Sequence, residues 1–137
     1  MNKTGRCLCG AVTYTAENIE TDIHVCHCGM CRRWTGGPAF AASVGNVSFD
    51  NEHLITRFDS SAWAERGFCS RCGTNLFYRL KESNQYVLWM GTFDDQNALR
   101  LAGEIFVDEK PAAYDLSGDH ARLTGEEFMA SLQRDDT

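Results

Sequence analysis

Seven cysteines stand in three tight groups: Cys7-Leu8-Cys9-Gly10, Cys26-His27-Cys28-Gly29-Met30-Cys31 and Cys69-Ser70-Arg71-Cys72-Gly73. The chemistry suggested by thiols at such spacing is metal binding. A structural zinc takes four protein ligands in a closed tetrahedron, whereas a reactive zinc takes three and leaves a corner open to water or substrate. Seven is one of each: Cys7, Cys9, Cys69 and Cys72 form two pairs that can close a structural site, and Cys26, Cys28 and Cys31 form a triad that can build an open one.

The Cys69-x-x-Cys72-Gly73 group is the most specific local signal. A tight turn aims both sulfurs at one ion, and the following glycine can take a positive φ that brings backbone amides toward the thiolates. Cys7-x-Cys9-Gly10 has narrower spacing and the same logic. Neither pair fills a tetrahedron alone, so sharing one ion would join positions about sixty residues apart, a long-range staple whose binding energy becomes folding energy. The competing use is a redox dithiol at Cys69 and Cys72, for which the expected parallel-sheet setting is missing.

In the triad, a nearby imidazole from His24 or His27 would close the site and make it structural. His27 is the poorer candidate, because a tight turn between two ligands directs its side chain elsewhere; His24 sits on the approaching strand. His53 and His120 read as surface histidines. Three thiolates on a divalent zinc leave the centre net negative, so it activates water weakly and is better suited to holding an incoming thiol as the nucleophilic thiolate. The glutamate after a His ligand and the Pro-Cys-x-x-Cys stretch of zinc deaminases are not found, nor is a serine triad, a phosphate loop or a dinucleotide fingerprint.

The odd cysteine count, and an N-terminus without an apolar signal core, argue against a secreted disulfide scaffold and for a reducing, cytoplasmic setting. No apolar window is long enough to span a bilayer, which implies a soluble protein without a membrane partner. With 137 residues, 43% of them apolar, the chain suits a single domain over residues 1–137. Nineteen acidic against thirteen basic residues give a net charge of -6, which makes nucleic acid an unfavourable partner. No segment dictates an oligomeric state. Arg6, Arg32, Arg33, Arg66 and Arg71 nevertheless lie close to cysteines in sequence, and both offsetting thiolate charge and binding an anionic ligand remain open to them.

The elements that must position these groups read as mainly β. Strands are expected at residues 12–15, 23–25, 40–44, 47–49, 54–58, 62–68, 75–80 and 86–90, with 105–107 as the last, and the clusters fall on turns between them. Helix is expected only as a short C-terminal segment after Thr124-Gly125-Glu126-Glu127, which has capping-box spacing, and as one turn within residues 93–99. Asp94 and Asp95 read as turn or capping residues. Trp63 and Trp89 read as core, Met30 as packing, and Trp34 as a candidate cover for the triad's open corner. No repeat or linker divides the chain.

The order Cys-x-Cys-Gly, Cys-His-Cys-x-x-Cys-Arg, Gly37-Pro38-Ala39-Phe40 and Phe-Cys-x-x-Cys-Gly-Thr resembles the glutathione-dependent formaldehyde-activating enzyme family, also called the GFA or centromere protein V family. The likeness covers about Arg6 to Leu116, with all seven cysteines matched, and extends through Ile105-Phe106-Val107-Asp108-Glu109-Lys110-Pro111. It departs at Ala112-Ala113-Tyr114, where the family commonly has Trp. The resemblance implies a β-tent of antiparallel sheets around a structural zinc held by Cys7, Cys9, Cys69 and Cys72. It also implies a catalytic or labile zinc at Cys26, Cys28 and Cys31, and a domain core of about residues 6–116. The implied activity is that of a carbon-sulfur lyase, joining glutathione as co-substrate to formaldehyde as S-(hydroxymethyl)glutathione. The partners are then a small-molecule thiol and an aldehyde. Arg32, Arg33 and Arg71 are the sequence-adjacent candidates for glutathione's carboxylates. The alternative is a noncatalytic zinc-binding module for a thiol ligand or protein partner.

Overall fold

A computed structural model describes residues 1–135, with side chains through Leu132. In chain order the elements are β1 (Lys3–Arg6), β2 (Thr13–Glu17), β3 (Asp22–Cys26), α1 (Gly29–Thr35), β4 (Ala39–Ser43), β5 (Asn46–Asp50), β6 (Ile55–Asp59), β7 (Ala64–Cys69), β8 (Asn75–Leu80), β9 (Gln85–Trp89), β10 (Arg100–Ile105), β11 (Ala121–Leu123) and α2 (Gly125–Asp135). The protein is mainly β, with two helices, the second of them short and C-terminal. Contacts divide it into two units, Met1–Thr21 with Ala41–Leu99, and Asp22–Phe40 with the residues from Arg100 onward.

In the first unit, strict alternation makes the strands. β2 buries Tyr14 and Ala16 and turns Thr15 and Glu17 to solvent, the period-two pattern of a half-buried strand. It pairs antiparallel with β1 and β5, while residues 41–43 of β4 and strands β9, β8, β7 and β6 form a second antiparallel run in that order. Aromatic rings fill the space between: Phe49 of β5 lies 5.8 Å from Tyr14 and 5.3 Å from Phe77, and Phe77 lies 5.0 Å from Tyr86. Such packing is what a sheet face needs to exclude water. β7 and β8, which run into and out of the second cysteine knuckle, are therefore anchored by this core.

In the second unit, β3 buries Ile23 and Val25 and exposes Asp22 and His24. It pairs with β10, which also pairs with β11, and both pairings are parallel. They add two parallel pairs to the antiparallel sheets expected, and the sequence does not announce them because a parallel partner comes from a distant segment whose register leaves no local turn signal. α2 begins at a reciprocal capping box. The Glu127 N–H donates to Thr124 Oγ1 at 3.1 Å, and the Thr124 N–H donates to the Glu127 carboxylate at 3.0 Å. Phe128 then packs against Phe106, with ring centroids 6.0 Å apart.

Three further expectations are corrected. The strand placed at 105–107 ends at Ile105, and Val107–Glu109 is a single 3-10 turn, so the last strand is β11. The helical turn placed within 93–99 falls earlier, at Met90–Thr92. Asp94 instead accepts a hydrogen bond from the Thr4 hydroxyl, and Asp95 accepts one from the Asn97 N–H in a turn. Trp63 is 59% exposed, not core, whereas Trp89 is buried as expected. Among the described residues, no helix is long and apolar enough to cross a membrane.

Candidate metal centres

The first unit brings Cys7, Cys9, Cys69 and Cys72 together, with all four sulfurs within 4.8 Å of one another. Two knuckles of the same construction achieve this. Gly10 and Gly73 both take φ of 79°, and each donates its N–H back to the first cysteine's carbonyl, Cys7 at 3.2 Å and Cys69 at 2.7 Å. Each first cysteine in turn donates its N–H across the turn, Cys7 to the Val12 carbonyl and Cys69 to the Thr74 carbonyl, both at 3.0 Å. Thr74 ties the knuckles together. Its hydroxyl oxygen accepts the Leu8 N–H at 3.0 Å and lies 3.2 Å from Cys72 Sγ. Arg6 braces the first knuckle by donating to the carbonyls of Cys7 and Leu8, which places it in a structural role. Arg66, by contrast, is buried with its guanidinium 5.1 Å from the Tyr78 ring.

The protonation preferences of these sulfurs fit a cation. The Thr74 hydroxyl, aided by backbone N–H groups, pulls Cys72 down to about 5. Burial pushes Cys7 up, but the Val12 N–H and neighbouring thiols outweigh it and leave it below the usual thiol range. Cys9 goes the other way, to about 11, because partial desolvation and the three neighbouring sulfurs outweigh the Ala11 N–H that favours its thiolate. Four sulfurs this close cannot all be anionic unaided, and a divalent soft cation removes that conflict.

The triad belongs to the second unit and, instead of lying on a turn between strands as expected, it spans a strand end and a helix start. Cys26 ends β3, Cys28 is the N-cap of α1, and Cys31 lies in that helix's first turn, its N–H donating to Cys28 Sγ at 3.4 Å. The three sulfurs lie within 4.8 Å of one another, and among the described residues no imidazole or carboxylate joins them. Hydrogen bonds from Cys26 and Cys31 pull Cys28 down to about 2, and the same sharing pushes Cys26 far above the usual thiol range. One thiolate thus suppresses the next. A bound cation would allow all three to ionise, so this donor set also fits zinc.

The histidines sort clearly. His24 is exposed on β3. His27, although between two sulfurs in sequence, is fully buried and turned to other partners, with Nε2 2.7 Å from Glu104 Oε1 and Nδ1 2.9 Å from the Tyr114 hydroxyl. An ionised carboxylate only accepts, so His27 donates from Nε2. His120 is no surface residue: its side chain is 3% exposed and its Nε2 lies 2.5 Å from Glu104 Oε2, which Arg122 Nε also reaches at 3.0 Å. Burial raises the Glu104 carboxyl, but His120, His27 and Arg122 together hold it below the usual carboxylate range. Glu104 and Arg122 went unread in the sequence, His120 is corrected from a surface histidine, and Tyr114 stood out only as a departure from the family pattern. The one signal was a charged residue inside the strand-like Gly103-Glu104-Ile105.

Of the arginines, Arg32 donates from Nε to the His27 carbonyl at 2.9 Å, and Arg33 is exposed in the last turn of α1. Arg71 is exposed in the Cys69–Cys72 knuckle of the other unit. Trp34 is half-buried in α1, while Met30 is 44% exposed, contrary to the packing role expected of it.

The model of a family described as glutathione-dependent formaldehyde-activating enzyme matches residues 2–109. A Schizosaccharomyces pombe protein described as an uncharacterized lyase is 31% identical over 131 residues, covering 93% of this chain and 95% of its own. A crystal structure of a Rhodobacter sphaeroides protein shares the fold, with a TM-score of 0.55 at 20% identity, over 87% of this chain and 98% of that one.

Proposed function

The chain belongs to the glutathione-dependent formaldehyde-activating enzyme family, and on that premise we propose that it is a zinc-dependent carbon-sulfur lyase interconverting glutathione plus formaldehyde with S-(hydroxymethyl)glutathione. The observation that carries this reading is the convergence of three sulfurs with no fourth side-chain ligand among the described residues. Cys26, Cys28 and Cys31 would hold the reactive zinc, and Cys7, Cys9, Cys69 and Cys72 a structural one, in a single β-tent domain working in a reducing cytoplasm. When bound at the triad, zinc supplies a soft Lewis acid that lowers the proton affinity of an arriving thiol.

The remaining work falls to the chain. The negative charge of three sulfurs disfavours water activation and so selects sulfur chemistry. Formaldehyde is small and already electrophilic, so holding the two reactants in register supplies most of the catalysis needed. Arg33, exposed on α1, and Arg32 beside it are the proposed contacts for glutathione's carboxylates.

Saturable, glutathione-dependent adduct formation above the spontaneous rate is expected. It should be lost in Cys28→Ser and kept in Arg100→Ala, whose side chain pairs with exposed Asp22. No rate above background across several thiols and aldehydes would overturn the proposal. One observation favours a second reading, a module that binds a thiol ligand without turnover: both ring nitrogens of His27 are engaged, so this imidazole does not serve the triad as a proton shuttle. Tight thiol binding with no turnover would select it.

A further inference from the structure

We propose that Glu104 is a positioning residue for the triad, acting through His27 to hold Cys26 and Cys28 where their sulfurs converge with Cys31; this rests on the reading of the triad as a metal site. His27 is bonded to both cysteines, so any change in its backbone torsions moves one sulfur relative to the other. All four of its polar groups are anchored. The N–H donates to the Ile105 carbonyl at 3.1 Å, the carbonyl accepts from Arg32 Nε at 2.9 Å, Nδ1 meets the Tyr114 hydroxyl, and Nε2 meets Glu104.

The carboxylate is divided to match. Oε1 serves His27, while Oε2 is held by His120 and Arg122 from the far side. Register delivers it there, since Glu104 lies opposite Val25 on β3 and opposite Arg122 on β11, one position before the Ile105–Cys26 pair. Glu104 and His27 are almost wholly buried, and His120 nearly so. Apolar side chains would fill the same space at a smaller desolvation cost. The ionic cluster is therefore better explained by the residue it immobilises than by stability. Outer partners that fix the orientation of ligands set how well a metal is held, and here the fixing passes through the backbone of the residue between two of them.

The test is graded chelation of the zinc-loaded full chain, reading the two metal equivalents separately, with the visible bands of the cobalt(II)-loaded protein as a second readout of triad geometry. Glu104→Gln is nearly isosteric but removes the charge and one of two acceptor oxygens, turning an NH2 group toward either His27 Nε2 or the His120 and Arg122 donors. It is expected to weaken the more weakly held equivalent about 10- to 100-fold and to shift its cobalt bands, leaving the tightly held equivalent unchanged. Tyr114→Phe, which removes one hydrogen bond and buries no charge, is expected to weaken the same equivalent about fivefold and decides the matter if the glutamine variant does not fold. Unchanged affinity in a folded Glu104→Gln, or parallel weakening of both equivalents, would overturn the inference while leaving the triad's proposed function standing. A wild-type chain with no second equivalent would overturn both.

Discussion

Replacing Cys9 and Cys72 together with serine removes half of the four-sulfur site at its two exposed members and leaves the buried Cys7 and Cys69 in place. No core cavity is made, so the change in stability reports the cross-link itself. Cys9 and Cys69 are separated by 60 positions, with sulfurs 3.9 Å apart. Cross-linking a loop of that size removes unfolded-state entropy worth about 4 kcal/mol. With an unfolding entropy of roughly 2 cal/mol/K per residue over the whole chain, that loss corresponds to a fall in Tm of about 14 °C. The assay is thermal unfolding followed by circular dichroism for the zinc-loaded wild type, the double variant, and wild type with a strong chelator. The variant should fall by about that amount and approach the chelated wild type. A fall below about 3 °C would refute the idea that the four sulfurs share an ion that staples the fold.

Two other outcomes can be checked in parallel. Arg33→Ala should raise the KM for glutathione about tenfold with Tm unchanged, while Arg32→Ala should also cost about 1 kcal/mol of stability through its lost bond to the His27 carbonyl; an unchanged KM in both would remove them as substrate contacts. Glu65 is held below the usual carboxylate range chiefly by the Arg79 hydrogen bond, with Arg57 adding to it against the effect of burial. A depressed folded pKa means the stabilisation is complete above the unfolded value and is lost as pH falls through the folded one. Glu65→Gln should therefore cost about 1–2 kcal/mol at neutral pH, with the gap to wild type closing below about pH 4 in thermal melts. A gap independent of pH would contradict that.

Much of the site was legible because cysteines able to share an ion follow a spacing pattern: the paired turns with their positive-φ glycines and the triad each bring their sulfurs within 4.8 Å of one another. β-Branched and aromatic residues identified β2 and β3, and the spacing of Thr124 and Glu127 identified the start of α2. Helix α1 escaped notice because it spans seven residues, starts on glycine and is capped by a cysteine instead of the usual Ser, Thr, Asp or Asn. β1 is Lys-Thr-Gly-Arg, with no apolar residue to mark the buried Lys3 and Gly5 positions. His120 looked like a surface histidine because its partner, Glu104, is 16 positions away and reaches it only through the parallel pairing of β10 with β11. Charge clusters assembled by distant strands have no signature in local spacing, and here that hid the support beneath the triad, not the triad itself.

The most direct test of the account is zinc per chain measured before and after mild chelation, repeated with glutathione present. Two equivalents are predicted, of which chelation removes one, with glutathione altering the loss of that one alone. A single zinc that cannot be divided into labile and resistant fractions would contradict the separation of seven cysteines into four that staple and three that react.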